Sequence, residues 1–128
     1  MSSDLGAFAR FCAVGIVGFV IDAGVTLLLT HTAGWQPLTG RVLAFLIAAT
    51  ATWPLNRRFT FRSEKGAATW APYVLLTGVG AGINVGIYMA WLWLAGESPM
   101  SILTGVALGS GVALGFNFLA SRAIFKSD

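Results

Sequence analysis

The chain is almost without the residues that bind metals, cross-link chains or carry charge. It holds one cysteine, Cys12, and one histidine, His31. A single cysteine excludes an intrachain disulfide, and Cys12 is expected to pack as a small apolar residue. His31 stands alone at a helix end, with no ligand-like spacing to a second His or Cys, so no metal is expected. Charged residues make up only 10 % of the chain, against about 25 % in ordinary soluble domains. No nucleophile–base pair is visible, and the glycine-rich runs lie inside apolar stretches rather than in a phosphate loop. No enzyme activity and no cofactor are expected. The first apolar stretch also lacks a basic leader and a clear small-residue cleavage site, so its helix is expected to be retained.

What the chain does have is apolar length. Hydrophobic residues are 56 % of its 128 residues, more than a soluble core of this size can hide. A membrane helix needs about 20 mostly apolar residues. Residues 11–30, 39–56, 73–95 and 100–120 each supply roughly that, and none alternates as a barrel strand would. The expected fold class is an all-α membrane protein, one domain of four transmembrane helices with little outside the bilayer.

The basic residues set the expected orientation. Seven of the eight, Arg10, Arg57, Arg58, Arg62, Lys65, Arg122 and Lys126, fall on one side of this layout. The positive-inside rule assigns that side and both termini to the cytoplasm. The net charge of +3 is then a topology signal and calls for no nucleic acid. Trp35, Trp91 and Trp93 mark the outer interface, Trp53 and Trp70 the inner one. Arg41, the eighth, lies near the outer end of helix two. Either it snorkels to the outer headgroups, or it pairs with Asp22 or Glu97.

The two halves resemble each other. Gly18-Phe19-Val20-Ile21-Asp22-Ala23-Gly24-Val25 reads like Gly80-Ala81-Gly82-Ile83-Asn84-Val85-Gly86-Ile87. Leu38-Thr39-Gly40-Arg41-Val42-Leu43-Ala44 reads like Leu103-Thr104-Gly105-Val106-Ala107-Leu108-Gly109. Continued at the second spacing, Asn56-Arg57 falls on Ser121-Arg122. Each half, about 10–61 and 73–125, contains two helices, so the halves insert the same way round and form parallel repeats. Sixteen glycines suit close helix approach in lipid. Gly82-x-x-x-Gly86, Gly105-x-x-x-Gly109 and Gly111-x-x-x-Gly115 are the expected contact patterns.

Few residues can do chemistry. Asp22 lies about 12 residues into helix one, roughly 18 Å along the axis, and a deep ionisable residue is a functional candidate. Its counterpart is Asn84, and the two are expected at equal depth. Binding of sugar hydroxyls, proton coupling and a plain helix–helix hydrogen bond all remain open for them. Arg57 and Arg58 close helix two beside Asn56, and Arg122 closes helix four beside Ser121. Guanidinium forks suit phosphate, so these arginines, with Arg10, are the expected phosphate-binding set, against ordinary interfacial anchoring. Asn117, one turn deeper, adds polarity. Pro54 is expected to kink or end helix two. Four short helices enclose little space, so a homo-oligomer is expected.

These motifs resemble the GtrA-like family of small four-helix membrane proteins. The resemblance rests on Arg10-Phe11 leading into Val14-Gly15-Ile16-Val17-Gly18 and Asp22. It rests also on Trp53-Pro54-Leu55-Asn56-Arg57-Arg58-Phe59-Thr60-Phe61, and on Asn117-Phe118-Leu119-Ala120-Ser121-Arg122 followed by Phe125. It covers essentially the whole chain. Thr52-Trp53-Pro54 departs from the family's Asn-Phe-like start of the helix-two motif, and the helix-four motif reaches Phe125 one residue early. The resemblance implies flippase-type movement of a polyprenyl-phosphate-linked monosaccharide across the cytoplasmic membrane, for cell-surface polysaccharide or glycolipid synthesis. It implies as the alternative a non-transporting anchor for the glycosyltransferase that makes such a lipid. Phosphate would then meet Arg57, Arg58 and Arg122, and sugar hydroxyls would meet Asp22, Asn84 and Asn117. A small multidrug-type exporter is a third class, disfavoured because an Arg-rich mouth repels cationic cargo.

Overall fold

The apolar runs form four helices in a computed structural model that describes residues 4–126. They are α1 (Asp4–Leu27), α2 (Pro37–Leu55), α3 (Trp70–Ala95) and α4 (Pro99–Lys126). Each is long and apolar enough to cross a membrane. With its terminal turn, the first span runs Asp4–Thr32, 29 residues, or about 43 Å at 1.5 Å per residue. That exceeds a hydrocarbon core of about 30 Å. The expected spans 73–95 and 100–120 lie inside α3 and α4, whereas 11–30 and 39–56 run past α1 and α2 into the turns that follow them; α1 starts and α4 ends a turn or more beyond the expected bounds.

Two antiparallel pairs, α1 with α2 and α3 with α4, make the bundle. Their hairpins share a Gly-x-x-Pro pattern, Gly34 to Pro37 and Gly96 to Pro99. Gly34 and Gly96 have φ of +73° and +88°, backbone that glycine adopts without a Cβ penalty. The prolines open the next helices, where a missing N–H is no loss.

Helices α1 and α2 each end in a π turn, Leu28–Thr32 and Asn56–Thr60. In the second, Phe61 N–H donates to the Asn56 carbonyl five residues back, at 2.9 Å. A π turn absorbs one extra residue. It places one more residue between Asn56 and Phe61 than lies between Ser121 and Phe125 on the regular α4, and both rings enter the same core. Pro54 does not end α2, which continues to Leu55. The winding changes directly after it.

Small residues let each pair close. Thr52 Cγ2 on α2 would lie 2.9 Å from a Cβ at Gly18 on α1, and the Asn117 carboxamide on α4 would overlap a Cβ at Gly80 on α3. Gly40 packs on Thr30 and Leu29, and Gly105 on Tyr88 and Trp91. Of the expected glycine patterns, Gly105 and Gly109 are used within the bundle. Gly82, Gly86, Gly111 and Gly115 have nothing within 4 Å of a Cβ. The core is aromatic and sits at the end of the bundle that carries both termini. Phe11, Phe61, Tyr73, Phe118 and Phe125 are all buried there. Phe61 lies 5.6 Å from Phe118 and 5.7 Å from Phe125, between ring centroids, a spacing that favours aromatic pairs.

Candidate functional site

The terminus end is also where the cations gather. Arg10, on the second turn of α1, reaches across to the π turn. Its Nε donates to the Phe59 carbonyl at 3.1 Å and its Nη2 to the Thr60 carbonyl at 3.0 Å. A widened turn exposes such carbonyls, and the guanidinium fork can span two of them. Arg122 pairs with Asp4 at 3.2 Å, bringing the last turn of α4 against the first of α1. Between them lies a cavity of about 50 Å³ lined by Asp4, Ala7, Arg10, Thr60, Phe61, Arg62, Arg122 and Lys126. One water needs roughly 10–15 Å³ by this measure. The cavity therefore has room for a group of a few heavy atoms, the size of a phosphate.

Four cations and one carboxylate line that space. Arg10 and Arg122 are the two sequence candidates that the structure brings together. Arg62 and Lys126, read from sequence only as interfacial charges, join them. Among the described residues no hydrogen bond or ion pair holds either side chain. Arg62 has φ +51°, left-handed backbone that costs a non-glycine residue roughly 1–2 kcal/mol. A strained residue presenting an uncommitted cation to a cavity is a functional candidate. No motif signals it, because nothing in the local composition requires a positive φ at an arginine.

The other two sequence candidates are elsewhere. Arg57 lies with its guanidinium carbon 5.0 Å from the Trp53 ring centroid, donates from Nη1 to the Lys65 carbonyl at 3.0 Å, and buries an unbonded Nε. It fastens the 61–69 connection. Arg58 is exposed. Neither lines the cavity, so the two-fork arrangement of Arg57 with Arg122 is not what the geometry offers. Arg10, Arg62 and Arg122 form the cluster instead.

Asn56 and Ser121 are both 3 % exposed. Asn56 belongs to a hydrogen-bond chain whose direction can be assigned. Thr60 Oγ1 donates to Asn56 Oδ1 at 2.7 Å, and Asn56 Nδ2 donates to the Tyr73 hydroxyl at 3.0 Å. Thr52 Oγ1 donates to the Ala49 carbonyl at 3.2 Å, so the Tyr73 hydroxyl donates to Thr52 Oγ1 at 2.8 Å. The chain ties the π turn to α3 and occupies both ends of the Asn56 carboxamide.

Deeper along the bundle, Asp22 and Asn84 point to separate neighbours. Asp22 Oδ1 accepts from Arg41 Nη1 at 3.0 Å and from Thr26 Oγ1 at 3.4 Å. Arg41 thus pairs with Asp22, and not with Glu97. Asn84 packs against Gly109 on α4. No hydrogen bond joins Asp22 to Asn84. Asn117 sits against Gly80, its Oδ1 buried without a conventional donor. The oxygen lies on the side where a Gly80 Cα–H points, the arrangement of a weak C–H···O contact.

The family model described as the GtrA/DPMS transmembrane domain matches residues 10–125. The chain belongs to the GtrA/DPMS transmembrane-domain family. No solved structure matches it. With four membrane-crossing helices, this family member is a multi-pass membrane protein. GtrA/DPMS membership points to a membrane role in polyprenyl-sugar processes, in a family that is in general non-catalytic. Among the described residues no group of three His, Cys, Asp or Glu could hold a metal.

Proposed function

We propose that the protein moves a polyprenyl-phosphate-linked monosaccharide across the cytoplasmic membrane, with its termini and basic cavity on the cytoplasmic side. The observation that carries this reading is the convergence of Arg10, Arg62, Arg122 and Lys126 on one cavity of phosphate size, in a family tied to polyprenyl-sugar processes. Charge-assisted bonds from guanidinium forks are short, strong and shaped for phosphate oxygens. An arriving phosphate competes with Asp4 for Arg122. The exposed Asp4–Arg122 pair is an inexpensive one to break.

On this reading the phosphate sits in the cavity, and the larger sugar travels along a face of the bundle while the isoprenoid stays in lipid. This favours a homo-oligomer in which a second copy covers the sugar. The equivalent contacts of Gly18 with Thr52 and Gly80 with Asn117 support the parallel two-helix repeat. They give a transporter two similar halves that can rock against each other.

A second reading, an anchor for a glycosyltransferase, has its own observation. The 61–69 connection is pinned by Arg57 to the Lys65 carbonyl and by Lys65 Nζ to the Ile124 carbonyl at 3.2 Å. It borders a groove of about 580 Å³ lined by Lys65, Gly66, Ala68, Thr69, Pro72, Ala123 and Ile124. A groove beside a connection held in this way suits a partner helix.

Liposomes carrying the purified protein and a short-chain polyprenyl-phosphate sugar separate the two. The readout is the rate at which the sugar becomes accessible to a membrane-impermeant oxidant. A transporter accelerates it, and Arg10→Gln/Arg122→Gln removes the acceleration. A rate equal to protein-free liposomes, with a glycosyltransferase recovered on the protein, would replace transport by anchoring.

A further inference from the structure

We propose that Arg41 is a second station for polyprenyl phosphate, at the opposite end of the bundle from the basic cavity, with Asp22 holding its place when it is empty. The inference rests on the transport reading above, and its geometry is independent of the basic cavity.

Arg41 follows Gly40, which packs on Thr30 and Leu29 across the α1–α2 interface. Its backbone is therefore level with those residues. Its guanidinium bonds Asp22, seven to eight residues back along α1, a descent of about 11 Å toward the terminus end. An arginine near a helix end ordinarily relieves its cost by reaching out to the headgroups. This one is turned inward.

The pair is also incomplete. Arginine has five N–H donors, and among the described residues one bonds, to Asp22 Oδ1. The Arg41 side chain remains 59 % exposed, against 24 % for Asp22. Open donors inside the bilayer are costly unless something accepts from them. Packing alone does not require the pair. At the matching places in the other half stand Asn84 and Val106, and α3 and α4 close with Asn84 against Gly109.

A guanidinium with free forks, neutralised by a carboxylate on one edge and open on the other, matches a phosphate carried on a lipid. Asp22 lowers the cost of the empty state. It must also compete with the incoming anion for the same cation. This competition fixes a sign that a structural ion pair would not show.

The test is native mass spectrometry from lipid nanodiscs, titrating unsugared polyprenyl monophosphate and, separately, phosphatidylglycerol. Thermal unfolding serves as the folding control. In the Arg10→Gln/Arg122→Gln background, which isolates this end, Asp22→Asn is expected to tighten polyprenyl phosphate about tenfold, the size of one charge-assisted hydrogen bond. Arg41→Gln is expected to abolish that binding. Arg41→Lys keeps the charge and the pairing with Asp22 while losing the fork, and is expected to weaken it about tenfold. Unchanged or weaker binding in Asp22→Asn would overturn the proposal, as would retention of phosphatidylglycerol equal to that of the polyprenyl phosphate. The basic cavity is judged separately. Loss of one bound phosphate on adding Arg10→Gln/Arg122→Gln to the otherwise wild-type chain reports that site whatever Arg41 does.

Discussion

Phe61 and Phe125 lie with ring centroids 5.7 Å apart and planes 32° from parallel, although α2 and α4 deliver them by different windings. Helix α4 is regular to its end, whereas α2 inserts a π turn at Asn56–Thr60 before reaching Phe61. The aromatic core is thus what the extra residue serves: without it, Phe61 would rotate off the cluster by about 100°. Both rings are 2 % exposed. Truncating either leaves a cavity that lipid cannot enter. Phe61→Ala and Phe125→Ala are each expected to lower stability by about 2 kcal/mol, less than in a soluble core because lipid replaces water as the unfolded-side solvent. The double variant is expected to lose less than the sum. Unfolding in mixed micelles of wild type, singles and double measures both.

The Tyr73 hydroxyl is the junction of the buried polar chain, accepting from Asn56 and donating to Thr52. Tyr73→Phe keeps the ring and strands the Asn56 Nδ2 donor, while Thr52 keeps its bond to the Ala49 carbonyl. A buried polar group left without its partner costs about 1–3 kcal/mol. Tyr73→Phe is therefore expected to destabilise by about 2 kcal/mol, and Thr60→Val, at the end of the chain, by about 1 kcal/mol. Hydrogen exchange should rise first in residues 56–61, because the chain holds the π turn to α3. Equal exchange in wild type and Tyr73→Phe would remove that role.

Gly80 and Gly82 are two residues apart, about 200° around the helix, and so cannot meet the same neighbour. Gly80 accommodates Asn117, and Gly82 faces open space. Gly80→Ala is expected to force α3 and α4 apart and to destabilise by about 2 kcal/mol through overpacking. Asn117→Ala in the same chain is expected to restore most of that. Gly82→Ala is expected to fall within about 0.5 kcal/mol of wild type, as at other positions away from packing contacts. A loss in Gly82→Ala as large as in Gly80→Ala would show a partner on that face.

What the sequence made legible follows from lengths and sums. Apolar runs of about 20 residues and sparse charge are enough to locate four membrane-crossing helices. The Arg10-Phe11, Asn56-Arg57-Arg58 and Asn117-Phe118 motifs are enough to indicate the family. Side-chain direction is not a sum. Whether Arg57 turns to the cavity or to Trp53 depends on where the Lys65 carbonyl lies, a contact made by the connection after the helix. Whether Arg41 reaches out or in depends on α1 placing Asp22 two turns below Gly40. The Gly-x-x-x-Gly spacing marks small faces without saying which face turns inward. The π turn was visible only as its trace, the early arrival of Phe125.

Arg62 separates strain from binding. At φ +51° a glycine relieves the backbone and removes the guanidinium at once. The gain from relief, roughly 1–2 kcal/mol, is offset by the greater freedom of glycine in the unfolded chain, about 0.4–1 kcal/mol. Arg62→Gly is thus expected to keep or slightly raise stability. It also takes one of four cations from the phosphate-sized cavity, and is expected to weaken polyprenyl-phosphate binding about tenfold, by one charge-assisted bond. Arg62→Ala removes the same charge without relieving the backbone, so it should bind as weakly as Arg62→Gly and be less stable than it. Unfolding midpoints paired with phosphate titrations test the separation. If Arg62→Gly bound phosphate like wild type, the strained arginine would have no part in the site, and the cavity would rest on Arg10, Arg122 and Lys126 alone.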